Sequence, residues 1–179
     1  AYATRAGLAA GQGVIETLSL NGATDGAIAW LFQRRFGLMA AGAGAIGAGL
    51  AYALGARCAQ PEAPVIAVMG DGTVGFHIAE FDTAIRHRLP FVAVVGNDAR
   101  WNAEYQIQLR DYGPERLIGC ELQPTRYDAV AQAFGAHGEL VTEADALPDA
   151  ARRALASGKP ACLNVMIEGL PAPQIRREA

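Results

Sequence analysis

Val65–Asp98, VIAVMGDGTVGFHIAEFDTAIRHRLPFVAVVGND, is the stretch from which the fold is read. Val65–Met69 and Phe91–Gly96 are short apolar runs bounded by Gly or Pro, the composition of strands covered on both faces in a parallel sheet. Between them, Gly75–His87 spaces its apolar residues for one amphipathic helix. Parallel neighbours need such a crossover, so the unit is βαβ. It predicts an α/β protein, a Rossmann-like three-layer α/β/α sandwich around a mainly parallel sheet.

Both strands end in a small residue followed by oxygen donors: Gly70-Asp71-Gly72-Thr73 closes the first, Gly96-Asn97-Asp98 the second. In open α/β sheets ligands bind outside the carboxyl ends of the strands, so Asp71 and Asn97 or Asp98 are expected at one crevice. Gly70 and Gly72 are read as allowing a tight turn and close approach to a ligand. The N–H groups that follow begin a helix, whose positive end favours phosphate. Asp71 alone would repel a phosphate. A divalent cation between the two removes the conflict, and Mg²⁺ is commonly held by one or two carboxylates together with substrate phosphates. A Gly-Asp-Gly tripeptide also occurs as an ordinary turn, so the second strand and its polar end carry the reading.

With a helix, an apolar strand and a polar pair after it, Gly-Asp-Gly resembles the thiamine diphosphate motif. The chain is similar to the diphosphate-binding domain of the acetolactate synthase and benzaldehyde lyase group. GDGTVGFHIAEFDTAIRHRLPF, YDAVAQAFGAHGELV and ASGKPACLNVMI extend the likeness over roughly residues 38–167. The resemblance implies thiamine diphosphate and Mg²⁺ as cofactors, with the metal on Asp71, Asp98 and the backbone carbonyl of Arg100. The two carboxylates are 98 − 71 = 27 residues apart, the family's spacing. Asp98 departs from the Asn usual there and adds a negative charge, which puts metal affinity in question; Asn97 is expected to support it. Gly70, Gly72 and Thr73 would approach the diphosphate. Trp101 matches a Trp of benzaldehyde-lyase-like members, whereas Asn102 stands where Gly is usual, and Tyr105 and Gln106 are further pocket candidates.

Phe36–Gly55, FGLMAAGAGAIGAGLAYALG, runs from a Gly-rich loop into an Ala-rich helix spanning Ala45–Ala59. Gly42, Gly44 and Gly47 reproduce the spacing of a dinucleotide fingerprint, but the acid that should close a second strand is missing; Asp71 lies 24 residues after Gly47, inside its own motif. By the resemblance, Gly44-Ala45-Ile46-Gly47 lies against the cofactor, the Gly44 carbonyl accepting from its exocyclic amine and Ile46 wedged between its rings. Within the helix, Tyr52 and Leu54 are expected to make the larger contacts, and Cys58 to be buried.

Residues 1–13 read as a linker or the remnant of a preceding domain, residues 14–167 as the cofactor-binding domain and residues 168–179 as a tail. Val14–Leu20 reads as a strand ending in Asn21-Gly22 before a helix to about Arg35. Backbone N–H groups near Gly22–Thr24 would reach the same crevice, or the stretch is a plain turn and helix cap. Arg110–Thr125, with Gly113, Pro114 and Pro124, reads as a long loop. Tyr127–Phe134 and Ala144–Ala156 then read as helices, and Gly138–Val141 and Ala161–Ile167 as strands. Glu80, His77 and His87 have no partner spacing and are read as structural.

The 179 residues carry a net charge of −3, which gives no argument for nucleic acid. Cys58, Cys120 and Cys162 fit no zinc or redox spacing and point to reduced thiols in the cytoplasm. No apolar run is long enough for a membrane span and no signal peptide opens the chain. By the resemblance, a Glu that activates the cofactor belongs to a pyrimidine-binding domain, on the same or a partner chain of a homodimer or homotetramer. That domain is not found here, so no catalytic residue is assigned within the chain. The expected parent activity is acetolactate synthase-like decarboxylation or carboligation of a small 2-oxo acid or aldehyde. The alternatives are one subunit of a split decarboxylase, a nicotinamide-binding domain, and a non-catalytic module in which Asp98 has cost the ligand.

Overall fold

The computed structural model of the chain describes residues 47–171. In order they form α1 (Gly49–Ala59), β1 (Ile66–Gly70), α2 (Asp71–His77), α3 (Glu80–His87), β2 (Val92–Asn97), α4 (Asn102–Tyr112), α5 (Tyr127–Ala133), β3 (His137–Val141), α6 (Leu147–Ala156) and β4 (Ala161–Met166). Short 3₁₀ turns stand at Pro114–Arg116 and Ala144–Ala146. All pairings are parallel, in the spatial order β1-β2-β4-β3. The α/β sandwich read from the sequence is the fold observed.

Strand side chains alternate between faces, and here they divide the core in two. Ile66, Val68, Val92, Val94, Leu163 and Val165 pack with Leu147, Ala150, Ala151 and Ala154 of α6. Ala67, Met69, Ala93, Val95 and Cys162 face the other way, toward Leu50 and Ala53 of α1, Phe81 and Ala84 of α3 and Ala131 of α5. The chain crosses the sheet outward from β1 to β2 to β3 and returns to β4. Right-handed crossovers put the return helix on the face opposite the outward ones, as found.

Four expectations are corrected. The predicted single helix over Gly75–His87 is two helices, and the first begins at Asp71 itself. Ile78 and Ala79 interrupt them with tight bonds, Phe81 N–H to the Ile78 carbonyl and Asp82 N–H to the Ala79 carbonyl, which re-aim α3 so that Phe81 reaches the core. In α1 the core face is Leu50, Ala53 and Ala56, while Tyr52 is 54% exposed and Cys58 is exposed, because a three-residue spacing from Leu50 turns them outward. The loop expected from Arg110 begins later, at Gly113, whose φ of 79° ends α4. From there residues 117–126 return along the site, pinned by an antiparallel bridge between Arg100 and Glu121. No helix among the described residues is long and apolar enough to cross a membrane.

The strand expected at Val14–Leu20, the loop residues Gly44, Ala45 and Ile46, and residues 172–179 of the tail lie outside the described residues.

Candidate functional site

β1 and β2 are neighbours in register, Gly70 opposite Gly96, so their carboxyl ends open side by side. The cleft there has a volume of about 180 Å³. Gly70, Asp71, Gly72 and Thr73 line it from the first strand end, and Asp98, Arg100 and Trp101 from the second. Seven of the ten residues singled out from the sequence thus meet in one place; the other three, Gly44, Ala45 and Ile46, lie outside the described residues.

Asp71 is 1% exposed, the first residue of α2 after an extended Gly70. Gly72 N–H donates to its Oδ1 (2.9 Å) and Arg100 N–H, from the other strand end, to its Oδ2 (3.2 Å). Burial pushes its pKa up to about 6, and the Asp98 charge pushes the same way, against the pull of the two N–H donors. Asp98 is half-buried, and burial raises it as well.

Asn97 does not face the cleft but holds the turn from behind. Fully buried, its Oδ1 accepts from Ala99 N–H (3.1 Å), closing an Asx turn. Ala99 has a φ of 55°, a left-handed conformation costly for a residue with a Cβ. Trp101 N–H donates to the Cys120 carbonyl (2.8 Å) and Leu122 N–H to the Ala99 carbonyl (2.7 Å), so the returning segment ties down the other side.

The glycines act here by size. Gly70 and Gly72 both lie outside the left-handed region, against the sharp turn expected of them. A Cβ on Gly72 would come within 2.8 Å of the Trp101 indole, so that residue is small because the ring lies on it. Trp101 packs in turn against Phe76 at 5.5 Å between centroids, and the Arg100 guanidinium sits 4.3 Å over the Tyr105 ring. Beside them Asn102 Nδ2 donates to the Leu170 carbonyl (2.7 Å) and Gln106 Nε2 to the Gly169 carbonyl (3.3 Å), which straps residues 169–170 across the start of α4. Gly169 fits because a Cβ there would meet Arg100 Nη1 at 2.9 Å.

Two carboxylates crowd this cleft, and neither is ion-paired with Lys or Arg among the described residues. Like charges withdrawn from water in this way call for a cation. Both side-chain donors are hard oxygens, and no cluster of three or more His, Cys, Asp or Glu side chains occurs among the described residues. Such a sparse oxygen set fits Mg²⁺ completed by a phosphate-bearing ligand better than an all-protein cage or a soft metal. A larger cavity, about 590 Å³, lies at the opposite end of the strands near Arg57, Val65, Phe91 and Lys159. It holds no acidic pair and stands away from the strand ends where such sheets bind ligands.

Sequence reasoning missed Asn164 and Asp128, both 1% exposed or less behind the Asn97 turn. The available signal was a polar residue inside the otherwise apolar ACLNVM strand.

The sequence profile described as "Thiamine pyrophosphate enzyme, C-terminal TPP binding domain" matches residues 23–165. Acetolactate synthase large subunit IlvG of Mycobacterium tuberculosis is 43% identical over 126 residues, 70% of this chain and 23% of that protein. 2-Hydroxyacyl-CoA lyase 2 of Caenorhabditis elegans is 36% identical over 76% of this chain and 20% of its own length. The chain therefore spans under a quarter of these relatives. Among solved structures, benzoylformate decarboxylase of Polynucleobacter necessarius superposes with a TM-score of 0.63 at 24% identity, over 74% of this chain and 25% of that one, a likeness of fold.

Proposed function

The chain belongs to the thiamine pyrophosphate enzyme family, in its C-terminal TPP-binding domain, and from that premise we propose that the cleft between β1 and β2 holds thiamine diphosphate through Mg²⁺. The observation that carries this is the pair Asp71 and Asp98, delivered by adjacent strand ends to one cleft with neither in an ion pair among the described residues. Asp71, Asp98 and the Arg100 carbonyl are the metal's protein donors, and Gly70, Gly72 and Thr73 leave room for the diphosphate. Asp98 carries a charge where Asn is usual, and the Arg100 guanidinium close by offsets part of it.

Bound thiamine diphosphate supplies a thiazolium carbon that adds to a carbonyl and then takes up the electron pair. This chain anchors that group: the carboxylates fix the metal, the Asn97 turn fixes the second carboxylate, and Trp101, lying on Gly72, forms an apolar wall of the cleft. Gly44, Ala45 and Ile46 complete the seat in this reading. Proton transfer at the cofactor falls to a Glu on a pyrimidine-binding domain, of the same chain or of a partner in a homodimer or homotetramer. The assembled cytoplasmic enzyme acts on a small 2-oxo acid or aldehyde in the manner of acetolactate synthase. That choice follows the 43% identity; the 36% identity to a 2-hydroxyacyl-CoA lyase favours, as a second reading, cleavage of a carbon–carbon bond by the same cofactor.

Titration calorimetry of the chain with thiamine diphosphate, with and without MgCl₂, and with NAD⁺ as contrast, tests the proposal. Binding is expected only with both thiamine diphosphate and Mg²⁺, and is expected to vanish in Asp71→Ala. Metal-independent binding, or unchanged affinity in that variant, excludes Asp71 as a ligand; NAD⁺ binding without metal would favour the nicotinamide alternative.

A further inference from the structure

Behind the cleft runs a buried chain of polar side chains, of which the cofactor reading uses only Asn97. It begins at Asp128, in the first turn of α5, 1% exposed and held by Arg126, whose Nε and Nη2 donate to its Oδ1 (2.9 Å) and Oδ2 (2.6 Å). Burial alone would raise this carboxyl; the Arg126 and Asn164 hydrogen bonds outweigh it and hold it below the usual carboxylate range. Asn164 Nδ2 donates to Asp128 Oδ1 (3.2 Å) and to the Thr125 carbonyl (3.1 Å). Asn164 Oδ1 in turn accepts from Asn97 Nδ2 (3.0 Å), whose other hydrogen goes to the same Thr125 carbonyl (2.9 Å). Asn97 Oδ1 then accepts from Ala99 N–H.

An amide side chain has a donor end and an acceptor end, and either can point either way until its neighbours choose. Here the choice is forced. An ionised carboxylate and a carbonyl can only accept, so Asn164 must turn its NH₂ toward Asp128 and Thr125. Its oxygen is thereby left for Asn97, which must answer with its own NH₂. The Asn97 oxygen is then the atom facing Ala99, the left-handed residue between Asp98 and Arg100. Reversing any amide would set like against like among buried side chains, leaving polar groups unmatched at a cost to the fold.

We infer that Asn164 is a positioning residue for the metal site, transmitting the fixed polarity of Asp128 and Thr125 through Asn97 to the backbone turn that presents Asp98 and the Arg100 carbonyl. The inference rests on the Mg²⁺–thiamine diphosphate reading above. Asn164 touches neither ligand; it lies on β4, opposite Val95 of β2, and acts from one strand away.

The test is a Mg²⁺ titration at saturating thiamine diphosphate, followed by calorimetry, on the native chain, Asn164→Leu and Asn164→Asp. Leucine keeps the branching at Cγ but removes both donor and acceptor, and should raise the Mg²⁺ midpoint about tenfold. The acid introduced by Asn164→Asp has the size of the asparagine, and beside the ionised Asp128 it keeps its proton. It donates that O–H to Asp128 and leaves its carbonyl oxygen to accept from Asn97, so the polarity at Asn97 is kept and the midpoint should stay within about threefold of native. Amide hydrogen exchange on the native chain gives a reading independent of any variant: Ala99 N–H should be protected, and its exchange at the rate of an open loop overturns the inference. A midpoint within twofold of native in Asn164→Leu, or Asn164→Asp no better than Asn164→Leu, also overturns it. In either case the native chain still binds Mg²⁺ and cofactor. Failure of the native chain to bind them would instead remove the parent reading.

Discussion

Asp71 shows how a residue that is costly to the fold can stand at the centre of the proposed site. In the metal-free chain burial, with Asp98 beside it, moves its pKa from 3.8 to about 6, so the folded state holds this proton more tightly than the unfolded chain. Its contribution to stability is fully present below the ordinary value and is lost as pH rises through about 6. Denaturant unfolding of the native chain and Asp71→Ala, both without metal, should show the native chain losing ground to the variant between pH 4 and pH 7. A difference that stays flat or grows across that window would contradict the burial of an unpaired carboxyl. Asp128 behaves in the opposite sense, since Arg126 and Asn164 stabilise its charged form. Two buried aspartates in one domain thus differ because one has hydrogen-bond donors enough to balance its burial and the other does not.

At the scale of the elements, α5 packs closely on β3, and the contact is made by backbone. A Cβ on Gly138 would run into the Asp128 carbonyl oxygen, with the Gln132 side chain also in the way, and Gln132 Nε2 donates to the Gly138 carbonyl (2.7 Å). Neither element can shift without disturbing Asp128, the root of the polar chain. Gly138→Ala should therefore destabilise the domain by about 3 kcal/mol, the upper end of ordinary overpacking. Gly49→Ala provides the contrast. The nearest atoms its Cβ would meet all belong to the Met69 side chain, closest Cε at 2.9 Å and Sδ at 3.2 Å at its flexible far end, so the change should stay within about 1 kcal/mol of neutral. Urea unfolding of the two variants checks both, and similar losses at the two positions would show that the distinction between backbone and side-chain contacts is wrong.

At the scale of the domain, two cores on either side of one parallel sheet hold β1 and β2 in register, which sets their carboxyl ends side by side at the cleft. Mg²⁺ and thiamine diphosphate together, at about a hundredfold over their dissociation constants, should stabilise the native state by roughly 2.7 kcal/mol. The rise should be seen in thermal unfolding; an equal rise with either component alone would show that the metal does not bridge cofactor to protein. The strands and the site residues near them were legible in the sequence because their signals are local: apolar runs bounded by Gly and Pro, and Asp71 and Asp98 at their ends. The break at Ile78–Ala79 was not, since whether an N–H bonds three or four residues back there is decided by how Phe81 reaches the core. Nor was the outward turn of Tyr52 and Cys58, because an Ala- and Gly-rich helix marks no face of its own. The sequence by itself determined the layered α/β fold and brought two carboxylates to neighbouring strand ends. Only the tertiary structure decided what holds them there: Asn97, Asn164 and Asp128 lie on three elements far apart in the chain, and a hydrogen bond's direction is fixed by its neighbours in space.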